Sequence, residues 1–164
     1  MFYERILREL QRQKVRYLVV GGLAVNLHGY DRVTADIDII LSMTDANIKR
    51  FIAMAKKLRM KPRVPVDVED FADKKLRRQW IKEKNMKAFL ISNPENPAEH
   101  LDVIIVHPVD FSKAYKRHER IKAGDLRIPL MAITDLISMK EFAARDKDLI
   151  DIKALKRIKE LANG

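Results

Sequence analysis

The sequence predicts an α/β (α+β) fold, a mixed sheet with helices packed on it and further helices toward the C-terminal end. Three observations predict it. First, the apolar run Tyr17-Leu18-Val19-Val20 stops at Gly21-Gly22, passes through a helix-compatible stretch, Leu23 to His28, and returns as a second oily run, Asp36 to Leu41. That is strand, glycine turn, helix and strand in close succession. Second, apolar runs of strand length alternate downstream with stretches of helical period. Third, a hydrophobic content of 47% beside 34% charged residues is that of an ordered chain with a core.

Each element follows from local pattern. Phe2 to Gln13 places Phe2, Ile6, Leu7 and Leu10 at helical spacing with charges between. Tyr17–Val20 is the first strand. Asp36 to Leu41 is the second. Thr44 is a fitting N-cap for a helix running to about Arg59, with Ile48, Phe51, Ile52, Ala55 and Leu58 inward; Asn47 stands where a capping box prefers Glu or Gln. Lys61 to Val68 holds two prolines and reads as a short strand or a connection. Asp70 to Asn85 is a basic helix whose Trp80 anchors it to the core. Met86 to Ser92 and His100 to Val106 are strands, allowed as antiparallel neighbours, with a loop from Asn93 to Glu99. Asp110 to Gly124 is basic again, with Lys113, Lys116, Arg117, Arg120 and Lys122. Asp125 to Leu130 reads as a short edge strand because Pro129 has no N–H for an interior ladder. Ile133 to Ala144 and Asp146 or Lys147 to Leu161 are the closing helices. A single domain over residues 1–164 is expected, its core at about 14–130 and its C-terminal helices at 131–162.

Composition bounds the function classes. No apolar run approaches the ~20 residues that span a bilayer, so no membrane partner is expected. The N-terminal stretch lacks the apolar segment of a signal peptide. Zero cysteines exclude a disulfide framework and thiolate metal sites. A cytoplasmic location is expected. The net charge of +10 favours polyanions, and nucleic acid, tRNA or nucleoside triphosphates fit it equally well.

The chemistry concentrates between Gly21 and Asp38. Side chains alternate along a strand, so Asp36 and Asp38 project from one face. Two adjacent carboxylates repel, and a divalent cation between them relieves this; paired hard oxygens suit Mg²⁺. Gly21 and Gly22 let the backbone approach a ligand and leave N–H groups at a helix start for an anion. Arg32 suits phosphate. His28, His100 and His107 lack metal-ligand spacing and read as structural or solvent-facing. No Ser/His/Asp or Cys/His set is present, nor a Walker or Rossmann fingerprint.

Gly21-Gly22 followed by Arg32-x-Thr34-x-Asp36-x-Asp38 resembles the polymerase-β-type nucleotidyltransferase superfamily. More narrowly, it is similar to the small bacterial group holding the toxins of type IV toxin–antitoxin systems and some antibiotic nucleotidyltransferases. The resemblance runs from about residue 14 to 155. It implies a third metal-binding carboxylate, matched by Asp102 in Leu101-Asp102-Val103-Ile104-Ile105. It implies Asp36 and Asp38 bridging two Mg²⁺ ions (Mn²⁺ is an alternative), with Asp102 on the metal nearer the acceptor, as general base or its orienter. It implies phosphate contacts from Gly21, Gly22, Arg32 and Thr34. The C-terminal stretch also resembles that group, and Lys140 and Lys147 are the phosphate-side lysines it implies. Lys140, Ala144 and Lys147 share a side if the helix continues, and Asp148 and Asp151 are placed to pair with a lysine or arginine, as in an ordinary surface ion network. The activity implied is transfer of a nucleoside monophosphate from an NTP to a hydroxyl or phosphate acceptor: RNA or tRNA, a protein, or a small molecule. A non-catalytic nucleotide- or RNA-binding member, or a toxin–antitoxin component, is the alternative. The chain departs from the family where Gly-Ser is usual and Gly-Gly stands, removing one hydroxyl contact. It also shows no large second domain, so an antitoxin or homodimer partner is a further expectation.

Overall fold

The apolar runs pair into one seven-stranded sheet, in a computed structural model that describes residues 3–163. β1 (Tyr17–Val20) and β2 (Asp38–Leu41) lie near its middle, antiparallel, with Val20 opposite Asp38. β2 runs parallel to β5 (Asn96–Ile104), which is antiparallel to β4 (Ala88–Asn93), itself antiparallel to the two-residue β3 (Lys61–Pro62). On the other side β1 is parallel to β7 (Leu126–Leu130), and β6 (Glu119–Ala123) closes the edge. The order is β3-β4-β5-β2-β1-β7-β6. Every residue of β1 is buried, as are Ile39, Ile40 and Leu41, because a central strand covered on both faces is oily on both.

Helices α1 (Glu4–Arg12), α2 (Gly21–Leu27), α3 (Asp45–Lys57), α4 (Lys74–Lys84), α5 (Phe111–Lys116), α6 (Ile133–Ala143) and α7 (Asp146–Asn163) complete the chain. Leu7 and Leu10 of α1 and Ile48 and Phe51 of α3 are fully buried. Thr44 caps α3, its hydroxyl accepting from Asn47 N–H at 3.3 Å. Asn47, in the expected capping-box position, is buried instead and ties α3 to β1 through Arg16 N–H and C=O (2.7 and 2.9 Å) and Ser42 C=O (2.8 Å). Trp80 anchors α4 as expected, stacked on Phe89 with centroids 5.6 Å apart; Phe89 in turn stacks on Phe71 at 4.5 Å. No described helix is long and apolar enough to cross a membrane.

Several boundaries differ from the sequence reading, each for a local reason. Phe2 lies outside the described residues. The second strand begins at Asp38 rather than Asp36, and residues 30–37 form no regular element. The helix expected from Asp70 is a 3-10 turn (Val68–Ala72) followed by α4, because the Asp73 carboxylate caps Lys75 and Leu76 N–H at 2.9 and 3.3 Å. The expected loop from Asn93 to Glu99 is a tight hairpin, with Asn93 paired to Asn96. The basic stretch after Asp110 holds α5 and β6. β7 is therefore interior and not an edge; Pro129 is tolerated because β1 and β7 register at a single pair, Val19 with Leu130, beyond the proline. Ala144 adopts a left-handed conformation (φ 52°), which ends α6 and separates Lys140 and Lys147 onto different helices.

Candidate active site

The sheet register builds the site. Asp38 is the first residue of β2, and its Cα partner on the parallel strand β5 is Asp102; Asp102 N–H donates to Ile37 C=O at 3.0 Å. Asp36 lies two residues before Asp38, and His100 two before Asp102. Parallel pairing therefore sets His100 beside Asp36. His100 Nε2 is 3.5 Å from Asp36 Oδ1, and His100 Nδ1 is 3.7 Å from Asp102 Oδ1. One donor atom from each of the three lies within 4.8 Å of the others. His100 Nδ1 and Asp102 Oδ1 are buried and have no hydrogen-bond partner among the described residues.

The glycine turn abuts this cluster. Gly21 has φ +68°, a conformation L side chains rarely adopt, and a Cβ there would lie 2.1 Å from Asp38 Oδ2. A Cβ on Gly22 would lie 2.8 Å from Thr34 Oγ1. Each glycine thus makes room for one polar side chain of the following segment. Gly21→Ala is expected to displace the Asp38 carboxylate, cost about 1–3 kcal/mol through backbone strain, and lower any transfer rate at least tenfold; a thermal melt beside a nucleotide-binding assay checks both, and unchanged affinity would remove the turn from the site.

Electrostatics mark the same place. Burial first, then repulsion from Asp102 and Asp36, pushes the Asp38 carboxyl up to about 7 from its ordinary 3.8. Burial also raises Asp102, while His100 opposes the rise. A group of acids that resists ionising when alone is a receptor for a cation. The residues fit a divalent metal: clustered carboxylate oxygens, an imidazole, and two buried donor atoms lacking partners.

The wall opposite is cationic. A cavity of about 460 Å³ is lined by all nine residues singled out in the sequence: Gly21, Gly22, Arg32, Thr34, Asp36, Asp38, Asp102, Lys140 and Lys147. It also holds Lys87, Phe142 and Arg145, to which the sequence gives no site role. Behind it sits an ion network that is buried rather than superficial. Lys140 is 5% exposed and donates to Asp148 (3.3 Å, 0% exposed) and Asp151 (2.9 Å, 2% exposed). Arg32 pairs with Asp151, and the Arg145 guanidinium and backbone N–H bind Asp148 at 2.8 and 3.0 Å. Burial would raise Asp148, yet the Arg145 hydrogen bonds and the Lys140 charge hold it below its ordinary value.

Fold and site together define a nucleotidyltransferase. A family model described as "Nucleotidyltransferase of unknown function (DUF6036)" matches residues 3–162, and the chain belongs to that family. Solved structures share the fold at low identity. The lincosamide antibiotic adenylyltransferase LnuA, lincomycin-bound, superposes with a TM-score of 0.60 at 19% identity, covering 96% of each chain. The antibiotic-resistance factor ANT(2'')-Ia gives a TM-score of 0.56 at 13% identity, over 98% of this chain and 86% of that one. Its complex with adenylyl-2''-tobramycin gives 0.55 at 12% identity, over 96% and 90%. A search of curated protein sequences finds no match.

Proposed function

We propose that this protein transfers a nucleoside monophosphate from an NTP to a hydroxyl or phosphate acceptor, with release of pyrophosphate, using Asp36, Asp38 and Asp102 to hold two Mg²⁺ ions. The observation that carries the reading is the Asp38–Asp102 register on two parallel strands, with Asp36 alongside and the glycine turn pressed against Asp38. Bound divalent cations would neutralise the triphosphate and lower the pKa of an acceptor hydroxyl. Asp102, raised by burial, takes that proton or orients the group that does. Gly21, Gly22, Thr34 and Arg32 receive phosphate oxygens on one wall. Lys147 meets the β- and γ-phosphates from the other, and Lys140, its ammonium held by Asp148 and Asp151, positions that wall beside them. The acceptor oxygen then attacks the α-phosphorus as the bond to pyrophosphate breaks. His100 adds a nitrogen donor that Mg²⁺ tolerates less well than Mn²⁺ does, so both metals belong in the assay.

The acceptor is the open term. The net charge of +10 favours RNA or tRNA, or a protein carrying it; the lincomycin and the adenylyl-2''-tobramycin in two neighbouring structures make small hydroxyl compounds the second panel. An antitoxin or a second copy of this chain would help to hold the acceptor. The deciding measurement is NTP binding by calorimetry with Mg²⁺, with Mn²⁺ and with EDTA. Removing metal is expected to weaken NTP binding at least tenfold, and Asp36→Ala to do the same. A wild type with no metal-dependent NTP affinity that still binds RNA would leave a non-catalytic, RNA-binding member. Labelled NTPs incubated with RNA, protein and small-molecule pools then identify the acceptor.

A further inference from the structure

A second cavity, of about 390 Å³, opens at the end of β1 away from Gly21. Lys14, Arg16, Arg120 and Arg127 line it, and no acidic residue does. These four cations pair with no carboxylate among the described residues. Crowded like charges without a counterion repel one another, and an anion between them relieves this.

A second observation is independent of charge. Tyr17, 2% exposed, and His118 both line the cavity, and Tyr17 Oη and His118 Nε2 are buried with no hydrogen-bond partner among the described residues. Buried polar atoms are nearly always satisfied, so an oxygen-bearing group inside the cavity would complete both. His118 Nδ1 lies on the Tyr115 carbonyl, so that nitrogen carries the proton. Nε2 then accepts in the neutral ring and donates to an anion in the protonated one. The ring of Tyr115 is already stacked between Phe111 (5.3 Å) and His118 (4.4 Å), with the Arg16 guanidinium 5.7 Å from its centroid. The wall therefore offers charge and hydrogen bonds rather than a free face for a base.

We propose that this cavity is a second anion site that binds phosphate groups, separate from the transfer centre. Tyr17 and Gly21 are four residues apart, ~13 Å along a strand, and the two cavities share no lining residue. The phosphates come either from a free polyphosphate or from the backbone of an RNA strand. The cavity's volume is at the lower end for small-molecule pockets, and its mouth is open to a strand.

Two probes separate the sources: inorganic pyrophosphate by calorimetry, and a fluorescein-labelled single-stranded RNA of ~12 nucleotides by anisotropy at two salt concentrations. EDTA is present throughout, to keep metal-dependent binding at the carboxylate cluster silent. The Arg120→Gln/Arg127→Gln double variant, altering two exposed side chains, is expected to weaken at least one probe about tenfold and lower the RNA salt slope by about two. Weakening of pyrophosphate alone assigns a free polyphosphate; weakening of RNA alone assigns a strand. Tyr17→Phe is expected to weaken the same probe at least threefold with a melting temperature unchanged or higher. A wild type that binds neither probe at millimolar concentration, a double variant that binds both as tightly as wild type, or unchanged affinity in Tyr17→Phe each overturns the proposal. Metal-dependent NTP binding, unchanged in all these variants, keeps this result distinct from that of the transfer centre.

Discussion

Asp38→Asn is expected to abolish nucleotidyl transfer, by about 10³-fold, and to make the metal-free protein more stable at pH 8. The two effects have one cause. Burial, then Asp102 and Asp36, raises the Asp38 carboxyl from 3.8 to about 7. A carboxyl whose pKa rises on folding binds more protons in the folded chain than in the unfolded one. Its ionisation therefore costs stability, starting above pH 3.8 and complete above about pH 7. Asparagine cannot ionise, and its amide can donate to the Asp102 carboxylate. The variant should match wild type near pH 4, gain on it through pH 7, and stay ahead at pH 8. Each pKa unit is worth ~1.4 kcal/mol; discounted for the water that reaches this half-buried site, the gain is about 1–3 kcal/mol. For a chain of this size that is about 5 °C in Tm. Saturating Mg²⁺ should raise the wild-type Tm and leave the variant's unchanged. A Tm that falls at every pH would make the Asp38 carboxylate a structural group and remove it from any metal site.

Much of the fold was legible because its signals are local. The oily β1 and β2 announce a covered central sheet, and Thr44 and the helical period of Ile48, Phe51 and Ile52 announce α3. The elements that escaped have weak local signals. β6 is a half-polar edge strand in which only Ile121 and Ala123 turn inward, and α5 is short, capped by Asp110, whose carboxylate accepts from Lys113 N–H at 3.0 Å. β7 was misplaced to the edge because its neighbour β6 went unseen. In the site, Asp36 and Asp38 line one cavity, but Asp36 precedes β2, so the alternation of a strand is not what brings the pair together. Asp102 came from family resemblance, since nothing near it in sequence says which strand it pairs with. His100 was read as structural for the same reason: only the Asp38–Asp102 register brings it to Asp36. Lys87 and Arg145 reach the cavity from β4's approach and from the break after Ala144, and no periodicity carries that information.

Lys140→Met is expected to be the most destabilising single substitution near the site, with a loss of about 3 kcal/mol and a Tm lower by about 10 °C. The Lys140 ammonium is nearly buried between two carboxylates on α7, and it is what lets them be buried together. Methionine keeps the stem but strands Asp148 and Asp151 against each other. Each carboxylate retains an arginine, Arg145 and Arg32 respectively, which holds the loss to the lower end for a broken buried pair. The pH dependence separates this from lost packing. Asp148 is held below its ordinary 3.8, so its pairing stabilises the fold fully above that value and is lost as pH falls through the lowered one. The gap between wild type and Lys140→Met should therefore be full at pH 7 and narrow below about pH 4. Adding Asp151→Asn to Lys140→Met should restore part of the loss, because one stranded charge goes with it. The same network fastens Arg32 beside the glycine turn to the α6–α7 pair, so the single variant should also weaken NTP binding at temperatures where it remains folded. A gap independent of pH, with no recovery in the double variant, would mean that Lys140 acts through the packing of its stem alone.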